Sequence, residues 1–198
     1  MSKKMIRIGG ASGFWGDAAM ATPQLLGGGG LDYIVYDYLA EITMSIMARA
    51  RAKNPEAGFA TDFVSQALKP NLAEIARQKV KIISNAGGVN PEACAAAVRA
   101  LIADHGLDLK VAAITGDDLV GEKDALAKQG FAEMFSADAF PDPEDILSVN
   151  AYLGAFPIAK ALDEGADIVI TGRCVDSAVT LGACIHEFGW TQADLDKL

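Results

Sequence analysis

KVKIISNAGGVNPEACAAAVRALIADHG, residues 79–106, decides the reading of the fold. KVKIIS is a short, β-branched apolar run and predicts a strand over 79–84. PEACAAAVRALIADHG predicts a helix, with Pro91 at its first position and Gly106 just past its end. Between them SNAGGVN reads as a glycine turn, with Asn90 as the helix N-cap. The unit is therefore strand, glycine turn, helix.

The unit recurs. MIRIGG (5–10), 33–38, KVAAIT (110–115) and ADIVIT (166–171) read as further strands, and ILSVNA (146–151) as one more. Helices are expected after about 40, closed by Asn54-Pro55, over about 60–78 with Pro70 starting the second part, before Gly165, and over SAVTLGACIHEFG (177–189). Residues 18–29 hold at most a short helix, and 119–145 read as loop with room for one short strand. Strands that are apolar on both faces and alternate with helices imply a mostly parallel sheet covered on both sides, a Rossmann-like three-layer α/β arrangement. The 198 residues are enough for one such domain, 1–198.

Composition narrows the function. The net charge is −9 and the 17 Lys and Arg form no long run, which argues against nucleic acid as a partner. MSKK is followed by a strand-like segment rather than a signal sequence, and no stretch is apolar enough to span a membrane. Three cysteines, Cys94, Cys174 and Cys184, show no metal-type spacing and read as reduced thiols. The expected location is the cytoplasm.

Ligands of parallel α/β sheets bind beyond the carboxyl ends of the strands. GGASGFWGD (9–17), SNAGGVNP (84–91), TGDD (115–118) and TGRCVDS (171–177) all fall there, and together they predict one pocket for a small anionic ligand. Asn85, Gly87, Gly88 and Asn90 are its candidate residues on the second of these loops. Gly10, Gly13 and Gly16 match G-x-x-G-x-x-G, and Asp37 follows about 20 positions on, where a ribose-binding acid belongs. Bulky Phe14 and Trp15 stand where a pyrophosphate must pass, so NAD(P) is the lesser reading. Arg173 is a candidate clamp for a carboxylate or phosphate, and Asp117 and Asp176 are candidate proton-transfer groups. The plainer alternatives are an Arg173–Asp176 pair, a buried Cys174 in place of a nucleophile, and Asp117-Asp118 as a turn rather than a divalent-metal site. Asp37 and Glu41 are further carboxylate candidates. No metal site is expected; Cys184 and His186 point in different directions on a helix.

With GASGFWGDAAMATPQLL, LDYIVYDYLAEITMSIMARARAKNPEAGF, SNAGGVNP, ILSVNAYLGAFPIAKALDEGADIVITGRCVDSAVTLG and IHEFGW in view, the chain resembles the N-terminal region of the acyclic terpene utilisation (AtuA-like) family. The resemblance implies a bacterial catabolic role on acyclic terpenoids such as citronellol and geraniol, through CoA thioesters, with a hydratase- or lyase-like step on a branched acyl-CoA. It carries no residue roles with it. Thr191 with Asp194 three positions on reads as a helix start, so the chain is expected to be the front part of a longer family protein, working as a homo-oligomer or with a C-terminal domain or partner subunit. A nucleotide-dependent oxidoreductase and a non-catalytic subunit of a larger complex are the alternative readings.

Overall fold

The computed structural model describes residues 4–17 and 19–198; Met1, Ser2 and Lys3 of the leading MSKK, and Ala18, lie outside them. Five strands, β1 (Ile8–Ser12), β2 (Tyr33–Tyr36), β3 (Lys81–Gly88), β4 (Val111–Ile114) and β5 (Ile168–Gly172), form one sheet in the order β1-β2-β3-β5-β4. Every pairing is parallel. The helices are α1 (Ala21–Gly28), α2 (Glu41–Lys53), α3 (Leu72–Gln78), α4 (Pro91–Asp104), α5 (Lys123–Lys128), α6 (Phe156–Asp163) and α7 (Ala178–Phe188).

Alternation along the strands sends successive side chains to opposite faces. Ile34, Tyr36, Ile82, Ile168 and Ile170 pack into one core with Leu26, Met47, Leu72 and Val98 from α1 to α4. Tyr33, Val35, Ile83 and Val169 pack into a second core with Ile158, Leu162, Val179 and Ile185 from α6 and α7. The split follows from strand order. The chain steps forward from β1 to β4, then returns to insert β5 beside β3. Right-handed crossovers put the helices of forward steps on one face and the helix of the return on the other. The loop after β3 therefore leads to α4 on the first face, and the loop after β5 to α7 on the second. The crevice between the carboxyl ends of β3 and β5 is the switch point of the sheet.

Local signals hold where they are local. Asn90 caps α4 by accepting a hydrogen bond from the Ala93 N–H at 3.3 Å, Pro91 opens the helix, and Gly106 follows it with φ +63°. Five expectations are corrected. The expected glycine turn at 84–88 is instead a continuation of β3, which bulges against β5 between Ser84 and Gly88. The expected two-part helix over 60–78 divides near Pro70, which lacks an N–H and whose ring opposes continuation, but its first part is a π-helical turn, Phe63–Leu68, ahead of a separate α3. The short strand envisaged within 119–145 is replaced by α5 and an isolated bridge between Ala132 and Ala139.

ILSVNA is not a strand of the sheet. Its backbone is stitched onto strand-end loops: Leu119 N–H donates to Val149 O at 2.8 Å, Ala151 N–H to Asp117 O at 2.8 Å, and Leu153 N–H to Arg173 O at 3.1 Å. These bonds lay residues 149–153 across the carboxyl ends of β4 and β5. The expected helix start at Thr191 is a turn instead: Asp194 accepts hydrogen bonds from the Thr191 N–H and hydroxyl, both at 2.9 Å.

Gly87 is where the sheet tolerates no side chain: a Cβ there would lie 2.4 Å from Thr171 O and 2.7 Å from Pro91 Cα, both backbone atoms. Gly27 in α1 has nothing within 4 Å. Chemical denaturation should show Gly87→Ala destabilising by about 3 kcal/mol, whereas Gly27→Ala stabilises by about 0.5–1 kcal/mol.

Candidate functional site

Arg173 leaves the end of β5 and turns its guanidinium into the protein, where the residue is 3% exposed. A charge at that depth must be paired and hydrogen-bonded. Nη1 donates to Leu39 O at 3.2 Å, Cys174 O at 3.2 Å and Asp176 Oδ1 at 2.8 Å. Nη2 donates to the Tyr152 hydroxyl at 2.9 Å and reaches Glu41 Oε1 at 3.4 Å. The guanidinium carbon stands 4.1 Å from the centre of the Tyr152 ring, a cation–π contact. Among the described residues Nε has no hydrogen-bond partner. Burial works against the charge, but Asp176 and Tyr152 more than offset it and hold the group above the ordinary arginine value.

The main chain of Arg173 is fixed separately. Its N–H donates to Asp117 Oδ2 at 2.8 Å, and Asn150 Nδ2 donates to the same oxygen at 3.0 Å. Asp117 is 2% exposed, and burial pushes its carboxyl up against the lowering effect of these bonds. A Cβ on Gly172 would sit 2.3 Å from Asp117 Oδ1, so glycine before Arg173 is what lets the loop after β4 dock. Asp118 faces elsewhere, pairing with Arg51 at 2.8 Å. No group of three or more His, Cys, Asp or Glu among the described residues is arranged to hold a metal ion.

On the β2 side, Asn85 is fully buried in the bulge of β3. Its Oδ1 accepts from the Tyr38 N–H at 2.7 Å and its Nδ2 donates to Asp37 Oδ1 at 2.6 Å. Burial raises the Asp37 carboxyl above its ordinary range, Asn85 opposes the shift, and the negative charge of Asp176 adds to it. Cys174 is buried with its thiol pushed up by desolvation, which makes it a poor nucleophile.

The structure thus gathers Asp37, Asn85, Asp117, Arg173 and Asp176 at the switch point. Glu41, named as a carboxylate candidate from the sequence, joins them. Asn150 and Tyr152 do so as well, although the sequence reading of ILSVNA as a strand gives neither a site role. A cavity of about 220 Å³ opens beside Arg173, lined by Glu41, Met44, Ser45, Ser148, Asn150 and Tyr152.

The other candidates stay apart from Arg173. Gly87 and Gly88 complete β3 and serve its close approach to neighbouring backbone, and Asn90 caps α4. Gly10 and Gly13 line a separate hollow of about 470 Å³ with Ser12, Asp17 and Gln24. There the Gly13 N–H already donates to Asp17 Oδ2 at 2.9 Å, and Gly16 takes φ +91°. Trp15 is tied to Asp62 through Nε1 at 2.6 Å and packs against the first core. Asp37, the expected ribose acid, is engaged by Asn85.

The sequence matches the family model described as "Acyclic terpene utilisation family protein AtuA" over residues 6–198. No curated protein and no solved structure matches the chain.

The raised Asp37 carboxyl has a thermodynamic consequence. The folded state keeps its proton to higher pH than the unfolded state, so its contribution is fully present below the ordinary value of 3.8 and is lost as pH rises through the folded value. Asp37→Asn keeps an oxygen for Asn85 and removes the titration. Unfolding measured from about pH 4 to about pH 7 should show the variant gaining stability relative to the parent as pH rises, with no change in the difference once the parent is fully ionised.

Proposed function

Because the chain belongs to the AtuA family of acyclic terpene utilisation, we propose that it is a catabolic enzyme, or a subunit of one, in acyclic terpenoid and branched acyl-CoA degradation. The reaction class is hydration or its reverse, carried out at the switch-point cleft. The observation that carries the reading is the convergence of two carboxylates and a phenol on one buried guanidinium beside an open cavity. Adding or removing water across a carbon–carbon double bond next to a thioester needs a base at one carbon and an acid at the other.

Asp176 is the group we assign to proton transfer: it is anchored to Arg173 through Oδ1, and its side chain is 64% exposed. Tyr152, half-exposed and held by Arg173 Nη2, is placed to donate a hydrogen bond to a substrate oxygen. Arg173 supplies positive charge where an enolate oxygen would develop. Asp117 and Asn85 act as positioning residues, fixing Arg173 and Asp37 from behind. The cavity is smaller than the roughly 300–1,000 Å³ that drug-sized ligands fill, so it suits the acyl end while the CoA nucleotide lies outside it. The cytoplasm, and assembly either as a homo-oligomer or with a partner domain, belong to the same reading; no helix among the described residues is long and apolar enough to cross a membrane.

Thermal unfolding with CoA, a branched enoyl-CoA and NAD(P)H, together with hydration assays, tests it. A branched enoyl-CoA at about 100 times its Kd should stabilise the protein by about 2.7 kcal/mol. Asp176→Asn should keep that stabilisation and lose turnover about 100-fold or more. Stabilisation by a nicotinamide nucleotide alone would favour an oxidoreductase instead. No response to any of these ligands would leave a non-catalytic subunit as the better account.

A further inference from the structure

Glu41 is the first residue of α2, and Ala40 before it has no side-chain oxygen to cap the helix. Glu41 instead places an acid in the first turn, where the helix dipole favours negative charge. The Tyr152 hydroxyl donates to its Oε1 at 2.8 Å and Arg173 Nη2 lies 3.4 Å away. The Tyr152 phenol, the Glu41 N–H and the Arg173 guanidinium, in that order, hold the carboxyl below its usual range. A carboxylate is thus held in the first turn of a helix by a phenol and a guanidinium, at the mouth of a cavity.

The two ends of this contact are built differently. The Arg173 side chain is 4% exposed, whereas that of Glu41 is 82% exposed. Asp176, at 2.8 Å, is the close ionic partner of the guanidinium; Glu41 is the distant one. An exposed acid at such a distance contributes little stability, so it is displaced cheaply. What it leaves behind is a fixed pair of donors, Arg173 Nη2 and Tyr152 Oη, that matches the two oxygens of another carboxylate.

We propose that Glu41 occupies the seat of a ligand carboxylate, and that the cleft takes a short-chain substrate bearing a free carboxylate, which displaces Glu41 from Tyr152 and Arg173. The inference rests on the acyl-ligand reading of the cleft and narrows its substrate class. Met44 and Val149 on the cavity wall receive the alkyl part, and Ser45, Ser148 and Asn150 supply its polar rim. Glu41 competes with the ligand, so removing it strengthens binding rather than weakening it. A catalytic or purely binding role for Glu41 predicts the opposite sign.

Calorimetric titration of the full chain with 3-methylbutanoate, and with 3-methylbutanamide as the uncharged control, decides this. Glu41→Ala should bind the carboxylate about tenfold more tightly than the parent, with no gain for the amide. Adding Tyr152→Phe to Glu41→Ala should cancel that gain. Glu41 is exposed enough that an unchanged unfolding midpoint is expected, and that midpoint verifies the fold. Equal or weaker binding in Glu41→Ala, an equal gain for the amide, or no binding by any form would overturn the proposal. If the carboxylate fails while a branched enoyl-CoA still stabilises the protein and is turned over, the hydratase reading stands and the carboxylate seat falls. If the gain appears while no CoA ester binds, the seat stands and the acyl-CoA reading falls.

Discussion

A buried guanidinium cannot be left unpaired, and the carboxyl edge of this protein is arranged around that constraint. Removing a partner from a buried ion pair costs about 3–5 kcal/mol, because the remaining charge is stranded in a poor dielectric. Arg173 draws its partners from separate segments: Leu39 and Glu41 after β2, Tyr152 from the crossing segment, and Cys174 and Asp176 after β5. Its main chain is bound by Asp117 after β4. One side chain and its own N–H thus connect the ends of three strands and the segment laid across them.

Close backbone approach is the condition for this arrangement. Gly172 lets the Asp117 carboxylate lie against the end of β5, and Gly87 lets β3 and the start of α4 meet Thr171. Neither position has room for a Cβ. The bulge in β3 has a further effect: it buries Asn85, whose amide bridges Tyr38 and Asp37. Glycine-rich loops at strand ends invite a phosphate-binding interpretation, and here several of those glycines are accounted for by protein–protein packing alone.

What the sequence made legible was what local chemistry decides. Alternating apolar strands and helices gave the layered parallel sheet, and Asn90-Pro91 gave the start of α4. The spacing of Arg173 and Asp176 gave their pairing as one of two readings. Non-local matters were hidden. Nothing local says that ILSVNA is bonded to loops rather than to strands, because its apolar pattern fits both. Tyr152 and Asn150 become site residues only once that segment lies over β4 and β5. Pro70 marked a break within residues 60–78, but not the π-helical turn before it. Asp37 matched a ribose-binding spacing, yet Asn85, far along the chain, holds it. The family, by contrast, was legible in long strings such as VNAYLGAFPIAKALDEGADIVITGRCVDSAVTLG, whose identity does not depend on knowing what each residue touches.

Hydrogen–deuterium exchange on the parent and on Arg173→Met tests the central claim, that this guanidinium holds the carboxyl edge together. The account predicts faster exchange in three segments at once, 37–41, 149–154 and 173–178, with the cores of β2, β3 and β5 still protected. Faster exchange confined to 173–178, or no change at all, would contradict it, and the edge would then be held by its backbone hydrogen bonds without the buried charge.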